Sequence, residues 1–111
     1  MTSSTDITLR QAQAEVDKWI TTVGGGYFSE LTNTAVLAEE VGEVARVMAR
    51  RYGDQVAKPG DESDLADELA DVVWVVMALA NQTGVDLADA FRANLEKKNR
   101  RDSRRFQPKA D

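Results

Sequence analysis

The sequence holds no cysteine and no histidine in 111 residues, and only two prolines. Lack of cysteine excludes disulfides, thiolate metal sites and thiol nucleophiles; lack of histidine excludes imidazole ligands and imidazole bases. Any metal bound by this chain is therefore a hard ion held through oxygen: magnesium, manganese or calcium. Long hydrophobic runs are scarce too. The longest apolar stretch, 72–80, is too short to span a bilayer, and the polar N-terminus carries no signal-peptide pattern. A soluble, cytoplasmic protein with no membrane partner is expected.

Length and composition suit one domain over 1–111, with residues 1–7 as a loose arm and 104–111 as a frayed basic tail. The net charge of −5 is unevenly spread: residues 1–91 carry six Lys/Arg against sixteen Asp/Glu, and residues 92–111 carry eight against three. A basic end segment could bind nucleic acid or hold the anionic part of a small substrate. The overall acidity weighs against nucleic acid.

The chain is organised around Asp64 to Gln82, DLADELADVVWVVMALANQ, which has neither glycine nor proline. Its β-branched residues would suit a strand, but the segment is too long for one and stops at Gly84, so it reads as a helix. Glu68 and Asp71 share a face of that helix, with Val72 and Val75 one turn further along. Charge in line with a buried apolar segment is very costly unless compensated. Trp74, in a helix that is apolar all round, calls for cover from another subunit.

The rest of the chain reads as three more helices. Thr8 and Gln11 form a capping-box pattern, and Leu9, Ala12, Val16, Trp19 and Val23 recur at helical spacing, with Trp19 continuing the core stripe. Gly24, Gly25 and Gly26 end this helix and lead into Tyr27 and Phe28. A second helix is predicted after Thr32 or Asn33, ending near Tyr52-Gly53, with Leu37, Val41, Val44 and Met48 as its core stripe. A neighbouring line reads Val36, Glu40, Glu43, Val47. Gly42 costs about 1 kcal/mol against alanine in mid-helix, which fits close approach by a backbone or ligand. Residues 53–63 form a polar loop. Ser63 or Asp64 caps the third helix, and Asp86 caps a fourth with Leu87, Ala90, Phe91 and Leu95 inward. The predicted fold is an all-α, antiparallel four-helix bundle-like domain.

Antiparallel packing of helices two and three brings Glu40-x-x-Glu43 against Glu68-x-x-Asp71. Four carboxylates at close range raise one another's pKa values and need cations. One or two Mg²⁺ would neutralise them and leave positions open for water and phosphate oxygens, as in-line displacement at phosphorus requires. A lone ExxE pair is better read as surface charge paired with Lys and Arg. Two pairs interleaved with valines on adjacent helices point to metal.

The segments LAEEVGEVARVM (37–48) and DELADVVWVVMALA (67–80) resemble the MazG-type nucleoside triphosphate pyrophosphohydrolases, whose signature is ExxE, a spacer, then ExxD. Glu40, Glu43, Glu68 and Asp71 match it, and LEKKNRRD (95–102) is similar to the family's basic motif at Lys97, Asn99 and Arg101. The resemblance covers residues 9–106 and has the look of the compact single-domain members. It implies an all-α homodimer or homotetramer that uses Mg²⁺, with Mn²⁺ as a substitute, to cut nucleoside triphosphates between the α and β phosphates. The products are a nucleoside monophosphate and pyrophosphate. The HisE-type phosphoribosyl-ATP pyrophosphohydrolases have a similar core, which makes that substrate a rival. A non-enzymatic, metal-binding helical oligomerisation module is the alternative of a different class.

Tyr27 and Phe28, just past the glycine loop, are candidates to stack on a nucleobase. Lys97 and Arg101, one turn apart, are candidates to grip phosphates, whereas Asn99 points elsewhere on an ideal helix. With no histidine or cysteine present, water must be activated by metal, carboxylate or both. Glu39 is the spare carboxylate nearest the ligand pairs and the candidate base or auxiliary ligand.

Overall fold

Side chains set the start of each helix. In the computed structural model, which describes residues 5–54, 64–102 and 105, Thr8 and Gln11 close a reciprocal box: the Thr8 hydroxyl accepts from the Gln11 amide at 3.0 Å, and Gln11 Oε1 accepts from the Thr8 amide at 2.8 Å. α1 (Leu9–Thr22) follows. It ends where Gly25 and Gly26 take positive φ values of 75° and 116°, conformations that side chains resist.

α2 (Glu30–Tyr52) starts earlier than predicted, because Ser29 caps it by accepting from the Thr32 amide at 3.1 Å. Glu30 in the first turn and Arg50 and Arg51 in the last complement the helix dipole. α3 (Leu65–Thr83) is capped by Asp64, which accepts from the Ala66 amide at 2.9 Å, and stops at Gly84 in the left-handed conformation. α4 (Leu87–Asp102) begins after Asp86, whose Oδ1 accepts from the Ala88 and Asp89 amides at 3.0 and 3.2 Å. Among the described residues the structure is all helix, with no strand. The predicted arm lies partly, and the predicted basic tail almost wholly, outside those residues, as does Ser63. No described helix is long and apolar enough to cross a membrane.

α3 is the central element, packed against α2 on one side and α1 on the other. Both pairings are antiparallel: Asn33 near the start of α2 meets Gln82 near the end of α3, and Asn81 of α3 donates to the Gln13 carbonyl early in α1. Val16, Ile20, Met77 and Ala78 form the buried cluster between α1 and α3. At the other interface, the buried line of α2 is not the predicted Leu37–Val41–Val44–Met48 stripe. Asn33 and Val47 are buried with Val36, Glu40 and Glu43 half-covered between them; of the predicted stripe, Leu37 and Val44 are half-covered too, while Val41 and Met48 are exposed. The cause is simple: α2 has one substantial neighbour, so the line facing α3 is covered most fully, and that line carries the glutamates. Gly42 likewise faces open space; a Cβ there would meet nothing within 4 Å.

α4 departs furthest from the sequence reading. It docks on α1 and makes no comparable contact with α2 or α3. Gln13 ties the two together, donating to the Val85 carbonyl at 2.6 Å and accepting from the Leu87 amide at 3.0 Å. Arg10 bonds Asp86 at 2.8 Å and Asp89 at 3.1 Å. Phe91 and Leu95, predicted to point inward, remain 59% and 48% exposed, and Ala90 is exposed as well. The overhang contributes to a radius of gyration of 18.0 Å, against roughly 13 Å for a compact domain near this length.

Candidate metal centre

The antiparallel register of α2 and α3 sets Glu40 opposite the first half of α3. There, one carboxylate oxygen each from Glu40, Glu68 and Asp71 lies within 4.8 Å of the other two. Crowding has the expected electrostatic result. Burial first, then the charges of Asp71, Glu68 and Glu43, raise Glu40 above the usual carboxylate range. Burial and then Glu43, Asp71 and Asp67 raise Glu68, with Arg46 opposing. Three hard oxygen donors at this spacing suit a small divalent cation: at a metal–oxygen distance of about 2.1 Å, octahedral ligand oxygens stand roughly 3–4 Å apart. The residues present fit a hard divalent cation of the class to which Mg²⁺ belongs.

Glu43 lies close enough to raise Glu68, but its carboxylate is bonded to Arg46, three residues on, and is not one of the converging three. Glu39 is exposed and stands outside the triad.

A pocket of about 290 Å³ adjoins the acidic group. Val36, one turn before Glu40, and Val75, one turn after Asp71, line it along with Trp19, Tyr27, Phe28 and Trp74. Trp19 and Trp74 meet edge to face, ring centroids 5.4 Å apart at 82°, a favoured aromatic geometry. Trp19 is thus a pocket wall, 48% exposed, rather than the core residue its spacing predicted. Tyr27 is pinned by donating to Asp17 Oδ1 at 2.6 Å; burial, then that bond, push its phenol pKa up. Phe28 sits exposed at the rim.

The model for the MazG nucleotide pyrophosphohydrolase domain matches residues 28–106, from the aromatic rim through both acidic pairs to the end of α4. The uncharacterised protein YpjD of Bacillus subtilis is 38% identical over 107 residues, covering 96% of each chain. The chain belongs to the MazG nucleotide pyrophosphohydrolase family. Two crystal structures of MazG-type proteins superpose on it well: YpjD of Bacillus subtilis, at a TM-score of 0.76 and 40% identity over 88% of this chain and 99% of that one, and the Bacillus-conserved MazG protein, a nucleotide pyrophosphohydrolase, at 0.73 and 36% over 88% and 96%. The chain is accordingly a hydrolase of the nucleotide pyrophosphohydrolase type, and the family's all-α fold is the one described above.

The basic segment of this MazG-family chain is not gathered into the site. Lys97, Asn99 and Arg101 are exposed on α4, which lacks a substantial contact with α2. Arg101 bonds its neighbour Asp102 at 2.8 Å, and Asn99 lines a groove with Leu9, Phe91 and Leu95. Three residues at or beside the site escaped the sequence reading as functional candidates. Arg46 had a local signal, its i,i+3 spacing from Glu43. Asn33 stands two turns before Glu40 on the same line, a weaker one. Gln82 had none, because its meaning depends on a partner 49 positions away.

Proposed function

We propose that the chain hydrolyses nucleoside triphosphates between the α and β phosphates, releasing a nucleoside monophosphate and pyrophosphate, with Mg²⁺ held by Glu40, Glu68 and Asp71. Glu43 joins them as a fourth ligand by turning from Arg46. The observation that carries the reading is the adjacency of the carboxylate group to an aromatic-walled pocket, one helical turn, about 5.4 Å, away along α2. That layout matches a substrate with phosphates at one end and a planar base at the other. Tyr27 and Phe28, with the two tryptophans, enclose the base.

Mg²⁺, when bound, supplies a Lewis acid for the phosphate oxygens. Glu39, outside the triad yet next to it in sequence, is the candidate to take the proton of the attacking water. Lys97 and Arg101 hold the β and γ phosphates and stabilise the charge on departing pyrophosphate, with Asn99 beside them. Since α4 projects past its own α1, these residues serve the site of a neighbouring subunit in a homodimer or homotetramer. Exposed Leu69, Val73 and Trp74 on α3, with Phe91 and Leu95 on α4, supply apolar surface for that assembly. Residues 1–111 act as one domain of a cytoplasmic enzyme.

The test is pyrophosphate release from a panel of ribo- and deoxynucleoside triphosphates with Mg²⁺, with Mn²⁺ and with chelator. Release with Mg²⁺ that stops with chelator and in Glu68→Gln supports the reading. Turnover that survives chelation, or release of orthophosphate alone, overturns it.

A further inference from the structure

The aromatic pocket has one buried polar side chain, Asn33, at 7% exposure. Its amide is oriented by a relay whose direction cannot reverse. The Phe28 backbone carbonyl only accepts, so it takes Gln82 Nε2 as donor, at 2.6 Å. Gln82 therefore turns Oε1 toward Asn33 and accepts from Asn33 Nδ2 at 2.8 Å. One of the two Nδ2 protons is thus engaged, and Asn33 Oδ1, the acceptor of that amide, receives no hydrogen bond from the described residues. That oxygen is not sealed from solvent, so water can meet it in the open pocket and a ligand donor would take the water's place.

Its position along α2 says which part of a ligand would meet it. Asn33 precedes Glu40 by seven residues, roughly 10 Å at 1.5 Å per residue. Glu40 is where the reacting phosphates lie in the function proposed above, on which this inference rests. Asn33 then faces the edge of the base furthest from the sugar. On that edge cytosine and adenine carry an amino donor, N4 and N6; uracil and thymine carry the O4 acceptor, and guanine and hypoxanthine carry O6.

We propose that Asn33, held by Gln82 and Phe28, is the specificity-determining residue, selecting nucleotides whose base bears an exocyclic amine at the pyrimidine 4 or purine 6 position. An oxo base meeting Oδ1 would set two acceptors face to face with no proton between them, and because the relay keeps the amide from turning over, it would have to shift toward the second Nδ2 proton to find a donor. Stacking on the aromatic walls is common to all bases, so discrimination falls to this one atom.

The experiment compares kcat/KM of the full chain, with Mg²⁺, within two matched pairs: cytidine against uridine triphosphate, and adenosine against inosine triphosphate. The amino member of each pair is expected to lead by about tenfold or more, one well-placed hydrogen bond. Asn33→Leu brings both ratios to within about threefold. Gln82→Leu frees the Asn33 amide to rotate and narrows the ratios by raising kcat/KM on the oxo members, a gain that a merely structural role for Gln82 would not give. Should Asn33→Leu melt at assay temperature, Gln82→Leu decides. Equal rates within both pairs in the wild type, or ratios unchanged by Gln82→Leu, overturn the inference and leave the pyrophosphohydrolase reading standing. No hydrolysis of these four nucleotides or of their deoxy counterparts overturns both.

Discussion

Trp74 stands edge-on to Trp19, with 5.4 Å between ring centroids, and it has a second surface. One side lines the pocket with Phe28 and Asn33, and the other lines an apolar groove with Ile7, Val16, Val73 and Met77. A single indole thus separates the proposed base site from that apolar groove. These two tryptophans are the chain's full complement, so intrinsic fluorescence reads the pocket directly. Adding a non-hydrolysable nucleotide with Mg²⁺ should change emission intensity, and Trp19→Phe should shrink that change. Trp74→Ala should raise KM by about tenfold, the loss of roughly one stacking contact. An emission spectrum indifferent to nucleotide would show that the base binds elsewhere.

The carboxylate triad predicts a loss of chemistry without a loss of fold. Glu40→Gln, Glu68→Gln and Asp71→Asn should each lower kcat by about 100-fold or more, the scale of losing a catalytic metal contact. Circular dichroism should remain helical. Glu43→Gln is expected to cost less than the other three, because its carboxylate already has Arg46 as a partner. Near-normal turnover in any two of the triad variants would exclude this site.

Acid titration without metal checks the same group by stability. Burial and mutual repulsion raise the pKa values of Glu40 and Glu68 in the folded chain. Raised groups favour folding while protonated: their contribution is full below the unfolded value, about 4.3 for glutamate, and is lost as pH rises through the raised values. The melting temperature in chelator should therefore drop across that window, and Mg²⁺ should restore stability above it. Glu68→Gln should flatten the drop. A melting temperature that rises through this window in chelator, with Asp86 already ionised, would contradict the crowding.

Sharing of the basic residues between subunits can be tested by mixing. Glu68→Gln lacks a ligand but keeps α4; Lys97→Ala/Arg101→Ala lacks the basic pair but keeps the triad. Each alone should be nearly inactive, and co-refolded mixtures should regain part of the activity through hybrid sites. No recovery in a demonstrated hybrid would place Lys97 and Arg101 in their own chain's site. Sedimentation should also show no stable monomer at micromolar concentration.

The acidic pairs were legible because their i,i+3 spacing is a property of one helix at a time, as were the caps at Thr8, Asp64 and Asp86. What stayed hidden depended on which helix meets which. The periodicity of α2 offered two adjacent lines, and the more apolar one looked like the core; packing against α3 alone covers the other more fully and leaves Val41 and Met48 exposed. Phe91 and Leu95 had the spacing of a buried face, but periodicity does not reveal that α4 outruns α1. The start of α2 lies three residues before the predicted one because Thr32 and Asn33, themselves capping residue types, follow Ser29 and fall inside the first turn of the helix. Asn33 and Gln82 are ordinary amides until a fold brings them together.

Under the proposed sharing of α4 between subunits, its overhang would make dilution a variable of the chemistry. If the cations that grip pyrophosphate come from a neighbour, halving the concentration of chains near the dissociation constant of the assembly removes more than half of the working sites. Specific activity per chain would then fall as the protein is diluted, and a cell making little of it would have less hydrolysis than the chain count suggests.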